Sequence, residues 1–498
     1  MTGDVIAQAP AGRLRGTRDG EALRFLGVPY ALPPATAGRY GAPIRHPRWE
    51  GSRDALAYGA TSSQPDRGVT IIPEPIIAGD NELNLNIYTP DLGAAGLPVL
   101  VWIHGGGYFG GCNASPWYQG KAFARDGVVL VSINYRLGAQ GFLELSDAPA
   151  NRAVRDWVLA LEWVQDNIAA FGGDPAKVTI AGQSAGGGAC ATLLGVPAAR
   201  GLFRSAICMS GGATLQQTAN GVRSVAGLLA QHLGVSLSRG VLEALSAETV
   251  LAAQQAAMPA PASSHDPESV IEALAGIRLP WAPWVDGDVV TEDPWQAVRS
   301  AGHRGVRLLT GATASEFSIG WRQQDWITVD VVKSGLARAG VPLPQADAYL
   351  GSQGPRQPCE IVGQAVTDRT FRVPAQELAA ARAAGGGAAY VYDFRWPSRA
   401  DSLRGLSIHC LDIPFVFDGL GESGVREVTG DGAPAALATD MHRAWVRFVA
   451  DGDPGWPRYD TTRRAVMIFG DGSGIRDDPL RLERETWSAA IAAELASR

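Results

Sequence analysis

The run V-T-I-A-G-Q-S-A-G at residues 178–186 constrains this chain more than any other segment. Val178–Gly182 has the apolar, β-branched character of a buried strand, and the small residues from Ala185 onward open a helix. A serine held between glycines at such a junction must sit on a sharp turn crowded by neighbouring backbone, so Gly182 and Gly186 carry no side chains. The turn lifts the Ser184 hydroxyl off the sheet. The helix behind it aims unpaired N–H groups and the positive end of its dipole at the same point. Ser184 is thereby placed as a nucleophile. The five-residue pattern alone is common in unrelated proteins; here the preceding strand and following helix are those the turn requires.

A serine attacking a carbonyl carbon needs donors for the oxyanion. H-G-G-G at 104–107 ends the apolar run L-P-V-L-V-W-I-H (97–104), on the N-terminal side of the serine. In this arrangement the backbone N–H groups of Gly106, Gly107 and Ala185 supply the donors. Losing one such donor costs ~10²–10³ in rate, and glycine serves where a side chain would twist the amide away. A phosphate loop is the competing reading, but no G-K-[ST] follows. His104 is read as support for this loop, not as a base.

Strand-like runs alternate with helical periodicity through the first half. L-P-V-L-V-W-I-H and G-V-V-L-V-S-I-N-Y (127–135) read as buried strands, with further strands at V-R-L-L-T-G (306–311) and Y-V-Y-D-F-R-W (390–396). Val154, Trp157, Val158, Leu161, Val164, Ile168 and Phe171 fall on one helical face, which Gly172–Gly173 ends. The alternation predicts an α/β fold with a mainly parallel central sheet covered by helices on both faces. Residues 213–300 and 318–388 are Ala-rich and mostly helical, and read as cap-like insertions over the carboxyl ends of the strands. One domain spanning 1–498 is the economical organisation.

Composition excludes several classes. A hydrophobic fraction of 46% is too high for disorder, and a net charge of −7 offers no footprint for nucleic acid. Residues 92–120 and 178–199 carry no charge, but their Gly, Ser, Asn and Gln content argues against membrane spans. Glycine is in excess, 61 of 498 residues against an ordinary ~7%, and clusters in the two segments that carry the chemistry. The 5 cysteines are scattered with no C-x-x-C pair, so neither a disulfide framework nor a zinc site is expected. M-T-G-D-V-I-A-Q-A-P-A-G at the start has no signal-peptide pattern, and a cytoplasmic protein is expected.

Ordered motifs extend the pattern along the chain: F-L-G-V-P-Y-A-L-P-P (25–34) with Arg39 and Trp49, L-N-L-N-I-Y-T-P (83–90), S-I-N-Y-R-L-G (132–138), F-G-G-D-P (171–175), G-L-F-R-S-A-I (201–207) with S-G (210–211), P-W-V-D-G (283–287), and F-V-A-D-G-D-P (448–454) with W-P-R-Y (456–459). With them the sequence resembles the type-B carboxylesterases, the family of bacterial para-nitrobenzyl esterases, carbamate hydrolases and cholinesterases. The resemblance implies an α/β-hydrolase fold and a Ser–Glu–His triad in that chain order. It points to Glu316 in G-A-T-A-S-E (311–316) and to His409 in L-S-I-H-C-L-D-I-P-F-V-F (406–417). His409 would take the Ser184 proton and later return one to the leaving group, while Glu316 fixes the imidazole tautomer. Asp286 and Glu292 are fallback acids. Of the 7 histidines, His46, His232, His265 and His303 lie in segments with no motif, and His442 reads as structural. Ser210 is either a hydrogen-bond partner near the acid or a plain strand-end serine.

Some positions depart from the family pattern. G-D-N-E-L (79–83) has no cysteine where secreted relatives form a disulfide, Trp157 replaces a polar glutamine, and Phe317 follows the acid where glycine is usual. The expected activity is hydrolysis of a small to medium apolar or aromatic carboxylic ester through an acyl-enzyme. An aryl carbamate or amide hydrolase with the same triad is the alternative, and a non-catalytic binding module of the same fold is opposed by the intact Ser184, Glu316 and His409. Tyr108, Phe109, Trp281, Trp284, Trp321 and Phe415 are candidate walls of the substrate pocket. No metal, nucleotide or redox cofactor is implied, nor any nucleic-acid or membrane partner, and monomer and dimer are both compatible with the sequence.

Overall fold

The computed structural model describes residues 4–211, 215–258, 266–299 and 305–496. His265, His303 and part of the 258–267 loop lie outside the described residues. The described strands are β1 (Asp4–Ala9), β2 (Gly12–Asp19), β3 (Ala22–Pro29), β4 (Ser52–Asp54), β5 (Asn84–Thr89), β6 (Leu97–Ile103), β7 (Val129–Ile133), β8 (Gly173–Gln183), β9 (Ser205–Met209), β10 (Arg307–Thr313), β11 (Ala389–Phe394), β12 (Ala465–Phe469) and β13 (Gly474–Asp477). They form one sheet in the order β1-β2-β3-β5-β7-β6-β8-β9-β10-β11-β12-β13, with β4 beside β2. From β7 through β12 every pairing is parallel, whereas β1, β2, β3, β5 and β13 join antiparallel at the two ends.

The unbroken apolar runs of the central strands follow from coverage on both faces. Successive side chains of a strand point to opposite sides. Val99, Val101 and Ile103 of β6 pack in a core with Val154, Trp157, Leu161 and Val164 of the helix Arg152–Asn167. Leu100 and Trp102 of the same strand join Trp445, Phe448 and Val449 of the helix Ala435–Asp451 on the other side. This is the α/β-hydrolase fold. Gly172, in a left-handed conformation at φ 82°, ends the short 3₁₀ turn that follows Asn167, as the glycine pair predicts.

The helical stretches divide more finely than the sequence suggests. The helices Pro267–Leu274, Val329–Arg338, Leu343–Ser352 and Pro358–Thr367 build a third core with Trp487 of the C-terminal helix Arg481–Ala496. The helix Val373–Ala384, inside the predicted 318–388 insertion, instead packs on β10 and β11 with the sheet. Its Leu378, Ala379 and Ala381 share the main core with Leu308 and Val391, which periodicity cannot reveal because the choice of partner is tertiary.

Candidate active site

Ser184 stands between β8 and the helix Ala185–Leu193 with φ 58° and ψ −126°, a conformation costly for a residue with a Cβ. The turn is held by Ser184 N–H donating to Met209 O at 2.8 Å and Gly188 N–H donating to Ser184 O at 2.9 Å. A Cβ on Gly186 would lie 2.0 Å from Ile103 O, so the crossing of the turn over β6 admits only glycine. Ala185 is the first residue of the helix, and its N–H has no helical acceptor four residues back.

Gly106 and Gly107 follow β6 and line the same cavity as Ser184. Gly106 has φ 105°, and a Cβ there would meet Gly110 O at 2.1 Å. Its carbonyl accepts from Phe109 N–H at 3.2 Å and Gly110 N–H at 3.0 Å, closing a tight turn. His104 is buried beneath, with Nδ1 2.8 Å from Gly105 O and its ring stacked on Tyr135 at 4.4 Å. Burial pushes its pKa down to about 4, so it is neutral at physiological pH.

Glu316 and His409 come from loops after β10 and β11. The loops are bound by His409 N–H donating to Glu316 O at 2.9 Å and Ser315 N–H donating to Ser407 O at 2.9 Å. The Glu316 carboxylate is 1% exposed. One oxygen accepts Thr313 N–H at 2.8 Å and the other takes a hydrogen bond from His409 Nδ1. Burial opposes a charged imidazole, but Cys410 and Glu316 against the ring hold its pKa well above the ordinary value. Burial raises the Cys410 pKa and keeps that thiol protonated.

The fully buried Gln183 completes this cluster. Its amide nitrogen lies 3.3 Å from His409 Nε2, and its Oε1 accepts from the Cys410 thiol at 3.2 Å. Ser184 Oγ shares the cavity but makes no hydrogen bond to the ring among the described residues.

The cavity holds about 420 Å³ and is walled mainly by Val69, Ile71, Ile72, Leu215, Ile277, Leu279, Phe109, Phe317 and Phe371. Arg67 and Glu74 form an ion pair in the wall, with the Arg67 guanidinium 5.3 Å from the Phe109 ring centre. Of the aromatics expected as walls, Phe109 is one. Tyr108 is buried against Phe142 and Trp157 at 5.2 and 6.2 Å. Trp281 lies in the main core, and the backbone of Trp284 is tied to Asn151. Trp321 packs on the third, helical core, and Phe415 lies between Phe394 and Trp396 at 5.1 and 5.2 Å. These segments adjoin site segments in sequence, but the side chains of Tyr108, Trp281, Trp321 and Phe415 pack into cores that only the fold defines. Phe317 was flagged by its place after Glu316, whereas Phe371, in the π-helical turn Asp368–Arg372, carries no sequence signal.

The remaining expectations also find places. Trp157 is buried against Tyr135 at 5.4 Å, so this departure alters the core and not the cavity wall. Ser210 Oγ is buried with no hydrogen-bond partner among the described residues, Glu316 included. Asp286 accepts Asp288 and Val290 N–H groups in its own turn, and Glu292 is half-buried; the carboxylate against His409 is that of Glu316. His442 is buried, with Nδ1 2.7 Å from Val416 O and Nε2 3.1 Å from Asp126. His46 is half-buried and His232 exposed. All the cysteines are buried and free. Among the described residues no helix is long and apolar enough to cross a membrane, and no group of His, Cys, Asp and Glu is gathered as for a metal.

A model of the carboxylesterase family matches residues 3–335. The para-nitrobenzyl esterase of Bacillus subtilis (strain 168) is 32% identical over 506 residues, covering 97% of this chain and 98% of that protein. The phenmedipham hydrolase of Pseudarthrobacter oxydans is 33% identical over 511 residues, covering 96% and 97%. Among solved structures, the Geobacillus stearothermophilus carboxylesterase EST55 at pH 6.2 superposes with a TM-score of 0.84 at 32% identity, covering 97% of this chain and 99% of that one.

Proposed function

The chain belongs to the carboxylesterase family and is an ester-hydrolysing enzyme, and we propose that it works through Ser184, His409 and Glu316 by way of an acyl-enzyme. The observation that carries this reading is the hydrogen bond from His409 Nδ1 to the buried Glu316 carboxylate, on the rim of a cavity shared with a strained Ser184. With Nδ1–H committed to Glu316, Nε2 is left as the base that takes the Ser184 proton. The attack pushes charge onto the carbonyl oxygen, which the N–H groups of Gly106, Gly107 and Ala185 receive. His409 then protonates the leaving oxygen, and a water activated by the same ring releases the acid. Ser184 and Nε2 approach on substrate binding, as such contacts are often loose in the empty enzyme.

The apolar walls favour small to medium apolar or aromatic esters. Aryl carbamates are the second class, favoured by the likeness to the relative named phenmedipham hydrolase and requiring no change of machinery. We also read the chain as one domain, 1–498, whose helices outside the sheet layers form a cap, and place it in the cytoplasm because its cysteines are all free. Short-chain para-nitrophenyl esters should be hydrolysed, and an organophosphate should label Ser184 and abolish turnover. Ser184→Ala should lose at least ~10³-fold in kcat; a variant that keeps full turnover refutes the mechanism. Ranking aryl esters beside aryl carbamates by kcat/KM decides between the two classes.

A further inference from the structure

We propose that Phe317 is a specificity-determining residue: with Phe371 it forms the leaving-group wall of the cavity and selects flat aryl leaving groups over saturated or branched ones. The proposal rests on the reading of His409 as the group that protonates the leaving oxygen.

Phe317 directly follows Glu316 and is 37% exposed, unusual for a phenylalanine. It lines the cavity together with Ser184 and His409. Its ring centre is 4.5 Å from that of His409, with 31° between the planes, and 5.7 Å from that of Phe371. Phe371 lies 5.4 Å from His409 and is 4% exposed, so Phe317 is the outer ring of a three-ring group and Phe371 its support. The turn beneath is held by Ser318 N–H donating to Ser315 O at 3.1 Å, and a Cβ on Gly363 would meet Ser318 Cα at 2.8 Å. Phe317 is therefore carried on a backbone with little room to retreat.

The geometry assigns this wall to one part of the substrate. A leaving oxygen that takes the His409 proton must come within ~2.6–3.2 Å of Nε2. The oxyanion and its donors lie toward Gly106 and Gly107, beside Phe109. The group attached to the leaving oxygen is then left with the side where Phe317 and Phe371 border His409. An aryl ring entering there meets an exposed aromatic face and an edge at the offset or edge-to-face spacing aromatic pairs prefer, ~4.5–7 Å between centres. A cyclohexyl or tert-butyl group is thicker and lacks the ring quadrupole that rewards that geometry.

The test uses two ester series and the full-length enzyme. The first holds the acyl group as acetate and varies the alcohol through phenyl, cyclohexyl and tert-butyl. The second holds phenol and varies the acid through acetate, butanoate and benzoate. Phe317→Ala should lower the phenyl-to-cyclohexyl ratio of kcat/KM by about two- to tenfold, the worth of one aromatic pair. Phe317→Tyr should keep the wild-type ratio, and acid-series ratios should move by less than about twofold. Phe317→Leu, which retains apolar volume, should show the same fall and stands in if the alanine variant fails to fold. A uniform loss across both series overturns the proposal, because the ring would then merely steady His409; so does a change confined to the acid series. Organophosphate labelling of Ser184 separates the two levels. Wild-type enzyme that is neither labelled nor active brings down the mechanism and this proposal with it, whereas full labelling with unchanged alcohol ratios defeats the Phe317 proposal alone.

Discussion

At the scale of single residues, the role of base proposed for His409 makes its protonation the control on the pH dependence. Burial works against the imidazolium, but Cys410 and the Glu316 carboxylate hold the pKa well above its ordinary 6.5. A base must be neutral to accept a proton, so activity is lost as pH falls through this raised value. The acidic limb of kcat/KM should therefore have its midpoint above 6.5. Gln183→Glu would set a second carboxylate against the same ring, 3.3 Å away in the amide's place, and move that midpoint up by about one pH unit or more. A pH–rate profile of the two enzymes checks both statements, and coincident midpoints would contradict the second. Ser184 was legible in the sequence because its turn has a mechanical reason, whereas Glu316 and His409 were read only from the family resemblance. Gln183 was not legible, since it is the variable residue of G-x-S-x-G and its partners lie more than two hundred residues downstream.

At the scale of elements, the turn proposed to receive the oxyanion depends on backbone shape more than on side chains. Gly106 combines φ 105° with contact to Gly110 O, which leaves no room for a methyl group. Gly106→Ala should reorient the amide, cutting kcat of the folded enzyme by about 10²–10³-fold, and should also lower the unfolding midpoint because the turn must shift to admit the methyl group. Loss of folding instead of rate would show that the turn is structural. The central elements were readable for a related reason. A strand buried on both faces is a near-continuous apolar run, and Leu97–Ile103, Val129–Ile133 and Arg307–Thr313 match the predicted runs closely. The strand at Val178–Gly182 proved longer, starting at Gly173, because Gly173 pairs with Leu97 at the start of β6, across a register irregularity and without an apolar signature. The helices outside the sheet were readable as helices only, and the packing of Val373–Ala384 on β10 and β11 was not.

Across the whole molecule, a buried ion pair ties the sheet to its helical cover. Arg136, just after β7, donates from Nη2 to Asp156 Oδ1 at 2.6 Å and from Nε to Oδ2 at 2.9 Å. Its Nη1 donates to Gly41 O at 2.6 Å, so strand end, helix Arg152–Asn167 and N-terminal segment meet in one fork. The Arg136 side chain is 1% exposed and that of Asp156 fully buried. Asp156→Ala leaves the guanidinium buried without its counterion and should cost ~3–5 kcal/mol of stability. Urea unfolding should show that loss while KM of the remaining folded enzyme is unchanged; a loss under about 1 kcal/mol would mean water reaches the site.

What the sequence by itself determined is the local chemistry: a serine on a forced turn, glycines where backbone must pass close, and near-continuous apolar strands because both faces are covered. Those are properties of neighbouring residues, so they are written in short runs. Only the tertiary structure decided the cavity, which draws on Arg67 and Glu74, Leu215, Ile277 and Leu279, Phe317 and Phe371 from segments far apart in the chain. It also decided that Tyr108, Trp281 and Phe415 face cores instead of substrate. An aromatic side chain stabilises either place by the same burial of apolar surface, so its sequence neighbourhood does not tell which side of the wall it occupies.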